Sequence, residues 1–282
     1  MSMDPILFTQ TPPVDTMVSK LLSSLESICW PPSLESTPDE IKDTISKSFG
    51  PYLKARICIA KGSSTDGKAT SAALVSSTPS MLNSWTVATS AIISVFPVDA
   101  LFPLIDMWRV SFLDPATCLW ACSGSGSRCG GLIDVITSRA LEVLETGEIS
   151  KGRRNYVVTV LRLLCNTFSN AVLTRSILMD DRLRPTLTGV LIQSLLWEDG
   201  SVRTAASSMA FNVAAWLQKG RVRDGREEDQ DQVEEDEEWE MELISAVVEG
   251  LGREKYNEEI GEWDLAEELF YHYDSGFSDG FI

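Results

Sequence analysis

The chain has 282 residues, 44% of them hydrophobic and 23% charged, with eight Trp, which is ample for a buried core and places it among globular proteins. Its net charge of −17 sits at one end: residues 1–220 carry 19 basic and 19 acidic side chains, residues 221–282 carry 5 and 22. That asymmetry argues against binding nucleic acid or an anionic membrane surface, both of which call for clustered Lys and Arg.

The N-terminal sequence MSMDPILFTQTPP has neither the basic nor the apolar region of a signal peptide, so a cytoplasmic or nuclear setting with reduced thiols is expected. Met17, Leu21, Leu22, Leu25 and Ile28 then share one helical face, which ends at Trp30-Pro31-Pro32. A shorter helix is predicted over residues 39–49, with Pro38 near its start and Gly50-Pro51 as its stop. Residues 52–60 fit either a helix or a strand. Residues 62–79, rich in Ser, Thr and Gly, read as a flexible loop.

Ser80 opens a helix in which Leu82, Trp85, Ala88, Ile92 and Phe96 fall in step, closed by Pro97. Pro103 starts the next, with Leu104, Trp108 and Phe112 at i, i+4 and i+8 before Asp114-Pro115. A short turn through Trp120 leads to a Gly/Ser loop over 123–131, and residues 132–144 form an amphipathic helix. The longest apolar run, 91–113, contains Pro97, Asp99, Pro103, Asp106 and Arg109, so it is not an ordinary membrane span.

Two segments repeat one idea: residues 157–173 (VVTVLRLLCNTFSNAVL) and 201–220 (SVRTAASSMAFNVAAWLQKG). Each reads as an apolar helix with an Arg near its start, Arg162 or Arg203, and Asn further along. Between them lies a helix from about Arg184 to Trp197, marked at its beginning by Pro185. Residues 224–238 are an acidic run read as a solvated loop, and Trp239, Leu243, Val247 and Leu251 make a last stripe. No alternating strand pattern occurs. The expected fold is all-α, an α-solenoid of helical repeats, an architecture that binds rather than transforms.

Three ordered blocks carry a family resemblance. Phe102-Pro103-Leu104-Ile105-Asp106-Met107-Trp108-Arg109 with Asp114-Pro115 resembles the FPxxDxxR…HP stretch of the PUL domain, the C-terminal domain of phospholipase-A-two-activating protein and its fungal relatives. Residues 161–168 (LRLLCNTF) are similar to its LRxxCNxF helix, and residues 205–212 (AASSMAFN) to its AxxxLAxN helix. Residues 6–25 resemble its opening segment. The resemblance covers about residues 5–255 and implies a PUL domain over 1–255, with an armadillo-like superhelical stack of repeats. It further implies a basic groove that binds the C-terminal tail of the hexameric AAA+ ATPase valosin-containing protein, in proteins of ubiquitin handling and degradation. After about Lys255 the pattern departs, leaving 256–282 as an acidic, aromatic tail and the array without its last repeat.

Arg109, on a strongly apolar helix, either snorkels to solvent or lines a groove for carboxylates. Arg162 and Arg203 occupy similar places on the repeated helices, as groove residues or as charges at repeat edges. Asn166, Asn170 and Asn212 lie at positions read as helix interior, where an inward Asn either holds a ligand's backbone or ties its helix to a neighbouring loop. With the resemblance, the expected partner-binding set is Arg109, Arg162, Arg203, Asn170 and Asn212. Cys118, Cys122 and Cys129 have no fourth ligand or nearby His, Cys165 reads as core, and the single histidine is His272 in the tail. Neither a metal site, a cofactor nor a catalytic triad is expected.

The reading is therefore a non-catalytic adaptor for the acidic C-terminal tail of a valosin-containing-protein-type ATPase. Its rival is a helical appendage that docks other domains of a parent protein, a multidomain isopeptidase of the PPPDE and thioredoxin-like kind, and binds no ATPase. Residues 256–282, ending in a free carboxylate, read either as a disordered tail with no role or as a segment that folds back and competes with an external acidic ligand.

Overall fold

Side chains and prolines at helix starts set most of the architecture. Thr37 forms a reciprocal capping box with Glu40, Thr78 accepts from the Met81 amide, and Asp114, Ser150 and Asn170 cap in the same way. The protein, a computed structural model, is described over residues 4–60, 77–123, 128–147, 150–223, 239 and 241–250. Among these residues every regular element is helical.

The helices are α1 (Val14–Ser27), α2 (Pro38–Asp43), α3 (Gly50–Ala60), α4 (Pro79–Val95), α5 (Phe102–Ser111) and α6 (Pro115–Cys122). They continue as α7 (Arg128–Thr146), α8 (Lys151–Thr167), α9 (Ala171–Leu178), α10 (Leu183–Leu195), α11 (Gly200–Arg223) and α12 (241–250). A π-helical turn (Thr44–Phe49) joins α2 to α3, and a 3₁₀ turn (Val98–Ala100) precedes α5. No single described helix is long and apolar enough to cross a membrane.

Several sequence expectations change here. Gly50-Pro51 does not stop a helix. The chain widens into the π turn, where the Gly50 amide donates to Ile45, and continues as α3 through Pro51, which settles 52–60 as helix. Trp120 lies in a helix, α6, and α7 begins at Arg128 inside the expected Gly/Ser loop. The expected helix over 157–173 is broken: α8 ends at Thr167 and α9 leaves it bent by 119°. Ser169 and Asn170 supply that break, and Asn170 is a helix cap rather than a helix-interior residue. Most of the loop at 62–79, the acidic run 224–238, the tail 256–282 and His272 lie outside the described residues.

The chain divides into two compact units, Leu7–Leu187 and Met1–Ile6 with Thr188–Ile282. In the first, α5 is the central rod: Pro103, Leu104, Ile105, Met107, Trp108, Arg109, Val110 and Ser111 are all buried. A helix apolar all round has to be wrapped, and α8 lies along it, with α1 and α3 on other sides. Trp108 anchors an aromatic cluster, stacked at 6.4 Å on Trp120 and edge-on at 5.1 Å to Phe49, which itself stacks on Trp85 at 4.4 Å. Each buried indole N–H finds an acceptor: Trp108 on Thr89 (2.7 Å), Trp85 on Ser48 (2.8 Å) and Trp120 on Asn83 (3.1 Å).

In the second unit, α11 turns an Ala-rich face inward, with Val202, Ala205, Ala206, Met209, Ala210 and Val213 buried. Leu243 and Ala246 of α12 are buried too. Trp239 donates its indole N–H to the Thr188 hydroxyl at 2.6 Å. Close packing at Gly250, where an added Cβ would lie 3.3 Å from the Leu195 carbonyl, seats α12 on the end of α10.

Candidate functional site

Burying a guanidinium inside an apolar helix demands partners for its N–H groups. Arg109, only 5% exposed, meets that demand with three acceptors. Its Nε donates to Asp106 one turn earlier, Nη1 to the Phe8 carbonyl and Nη2 to the Gln10 carbonyl at 2.7 Å. Phe8 and Gln10 belong to a stretch of chain without helix or strand ahead of α1. The cation therefore reads main-chain oxygens, two residues apart.

Asn166 of α8, fully buried, completes this cradle. Its Oδ1 accepts the Phe8 N–H at 2.7 Å, while Nδ2 donates to the Phe8 carbonyl at 3.0 Å and to the Arg109 carbonyl at 2.9 Å. A carboxamide carries an acceptor and donors on one edge, matching the N–H and C=O that one extended residue presents. One turn earlier on α8, the Arg162 guanidinium lies 5.1 Å from the centre of the Phe8 ring, a cation–π contact at an exposed site. The cradle thus takes a main chain by Asn166 and Arg109, and one aromatic side chain by Arg162.

Among the described residues of the second unit a similar device occurs at Asn212. Asn212, 1% exposed on α11, accepts the Ile6 N–H at 2.7 Å and donates to the Ile6 carbonyl at 2.9 Å.

The five expected partner-binding residues are thereby placed. Arg109 and Arg162 meet at Phe8, and Asn212 holds a main chain. Asn170 accepts from the Val172 and Leu173 amides as the cap of α9. Arg203 donates to the carbonyls of Trp197 and Glu198, at 2.7 and 2.8 Å, and so stitches the link between α10 and α11. Sequence reasoning left Asn166 out of that set and gave Phe8, Gln10 and Asp106 no role in it, although Asp106 stands in the FPxxDxxR-like stretch. The available signal was the matched placing of Asn166 and Asn212 on two similar helices.

Three cysteine thiols and the Tyr52 phenol are held in their neutral forms. Burial pushes the Cys118 thiol up to about 11 and raises Cys122 and Cys165 as well, which disfavours the nucleophilic thiolate. Tyr52 is pushed up to about 12, first by burial and then by its hydrogen bond to Asp114. Among the described residues no group of three or more His, Cys, Asp or Glu could hold a metal ion.

The family model described as the PUL domain matches residues 2–262, nearly the whole chain and seven residues beyond the boundary expected from the sequence. No curated protein and no solved structure matches the chain.

Proposed function

We propose that this chain, which belongs to the PUL domain family, is a non-catalytic adaptor for the acidic C-terminal tail of a valosin-containing-protein-type AAA+ ATPase. PUL is a helical protein-interaction domain; the particular partner, its ubiquitin-handling context and a cytoplasmic or nuclear setting are the reading offered here.

The observation that carries the reading is the cradle of Arg109 and Asn166, which holds the chain's own Phe8 and Gln10 by their main chain and would offer an external peptide the same groups. Affinity of that kind does not depend on the ligand's side chains, and cationic Arg162 at the rim adds a preference for acidic or aromatic ones. Raised thiol pKa values fit a binding role better than a nucleophilic one.

The test is a titration of a fluorescent peptide of the ATPase C-terminus into the protein and into its Arg162→Glu variant. Arg162 is exposed, so this change spares the core that Arg109→Glu would disturb. Binding that weakens with salt and weakens further in the variant supports the adaptor reading. A folded protein that ignores the peptide at every salt concentration abandons it in favour of the helical appendage.

A further inference from the structure

The chain that fills the cradle is weakly anchored by its side chains. Over residues 7–13 none is fully buried: Leu7, Phe8, Thr11 and Pro12 are half-buried, while Thr9, Gln10 and Pro13 are exposed. What holds this stretch is main-chain recognition, with Asn166 accepting one hydrogen bond and donating another and Arg109 donating two. Segments held by a few partly exposed hydrogen bonds and little apolar burial open well before the core does. The helices behind it are unlike it, since α5 buries eight of its ten residues and α8 ten of its seventeen.

Opening would change the electrostatics of the cradle. Arg109 keeps Asp106 on its Nε but loses both acceptors of its terminal N–H pair. Asn166 loses the amide and carbonyl of Phe8. A planar pair of N–H donors suits a carboxylate, and the freed carboxamide suits one residue of an extended main chain. Arg162, already at the rim, adds a second positive charge beside them.

We infer that residues 7–10 are an exchangeable occupant of their own binding site, and that an extended peptide carrying a carboxylate displaces them. The identity of that incoming peptide rests on the adaptor reading; the exchangeability of the segment does not. The segment then sets the apparent affinity, because a ligand sees only the fraction of molecules whose cradle is open. Two consecutive prolines, Pro12 and Pro13, separate the segment from α1, so its release need not unwind that helix.

Hydrogen exchange on the full chain tests the exchange itself. The Phe8 amide, bonded to Asn166, is expected to exchange orders of magnitude faster than the α8 amides of Val160 and Leu164. Equal rates would mean that the segment leaves only on global unfolding, and would overturn the inference whatever the ligand. A labelled synthetic peptide of residues 4–13 is then added in trans to the full-length Phe8→Ala variant, whose resident segment lacks the ring under Arg162. Capture of that peptide supports exchange independently of any ATPase, and failure to capture it counts against exchange.

The acidic peptide gives the final arm. It should bind Phe8→Ala about three- to tenfold more tightly than wild type, since the lost ring contact weakens the competitor. It should also accelerate exchange at Phe8. Binding with the Phe8 amide equally protected, and with unchanged affinity in the variant, leaves the adaptor reading standing and removes this one. Capture of the 4–13 peptide without binding of the acidic one does the reverse, keeping the exchangeable cradle and discarding the ATPase tail.

Discussion

The hydroxyl of Tyr52 donates to the carboxylate of Asp114, joining α3 to the start of α6 across 62 residues of sequence. The same carboxylate caps α6 through the Ala116 amide at 3.1 Å and faces Arg56 at 3.2 Å. Replacing Asp114 with Ala leaves a buried hydroxyl, a cation and a helix end without their acceptor. The expected cost is about 3 kcal/mol, measured as a shift in the urea midpoint with an unchanged m-value. A shift below about 1 kcal/mol would show that water replaces the carboxylate at little cost.

Stability should fall on the alkaline side. Folding holds Tyr52 and Cys118 protonated, with values raised from 10.0 to about 12 and from 9.0 to about 11. A group whose folded value is raised contributes stability in full below its unfolded value and loses it as pH climbs through the folded one. Unfolding free energy is therefore expected to decline from about pH 9 to pH 12, and Tyr52→Phe should flatten the part above pH 10. An equally steep decline in that variant would assign the effect to other groups.

Asn166→Ala removes the clamp on Phe8 and leaves the Arg109 carbonyl without its donor. The loss is expected to be about 2–3 kcal/mol, as for a buried polar group deprived of its partner. Thermal unfolding monitored by circular dichroism reads it directly. No change in midpoint would mean that the clamp contributes nothing net to the fold.

Asn170→Ala separates two roles for that residue. As the cap of α9 it should contribute about 1 kcal/mol to stability. Peptide affinity, read in the titration described above, should stay at the wild-type value. A drop in affinity with stability intact would return Asn170 to the binding surface.

Gly152 lets the first turn of α8 approach Asp99 closely, where the Ser150 hydroxyl also donates to the Asp99 carboxylate. A Cβ on Gly152 would lie 2.6 Å from the Asp99 Cα, closer than real Cβ atoms come, so Gly152→Ala must push the 3₁₀ turn and α8 apart. The expected destabilisation is about 1–3 kcal/mol. Gly147→Ala, strained through its φ of +66° but with open space around it, is the control for a purely backbone effect.

The all-helical class and most helix starts were legible because their causes are local. Pro38 and Pro103 stand in the first turns that their missing amides favour, whereas the start of α6 at Asp114-Pro115, with its proline placed in the same way, reads in the sequence only as a turn. Legibility failed where a local rule had two outcomes. Gly50-Pro51 usually ends a helix, yet a π turn and the close approach of Val18 carry the chain through it. Residues 157–173 carry an apolar pattern without Gly or Pro, and Asn170, which fits a helix interior poorly and a helix cap well, is the local sign of the bend.

Composition and pattern by themselves determined the helical fold and the concentration of charge at one end, and three ordered blocks carried the resemblance to the family. They also picked out Arg109, Arg162 and Asn212 as polar groups on apolar helices. Only the tertiary structure decided what those groups hold: Arg109 reaches residues 99 and 101 positions away, and Asn212 one 206 away. A helix start is fixed by neighbours within one turn, so sequence reports it. The partner of a buried donor is whichever acceptor the folded chain brings within 3 Å, and no local pattern encodes that.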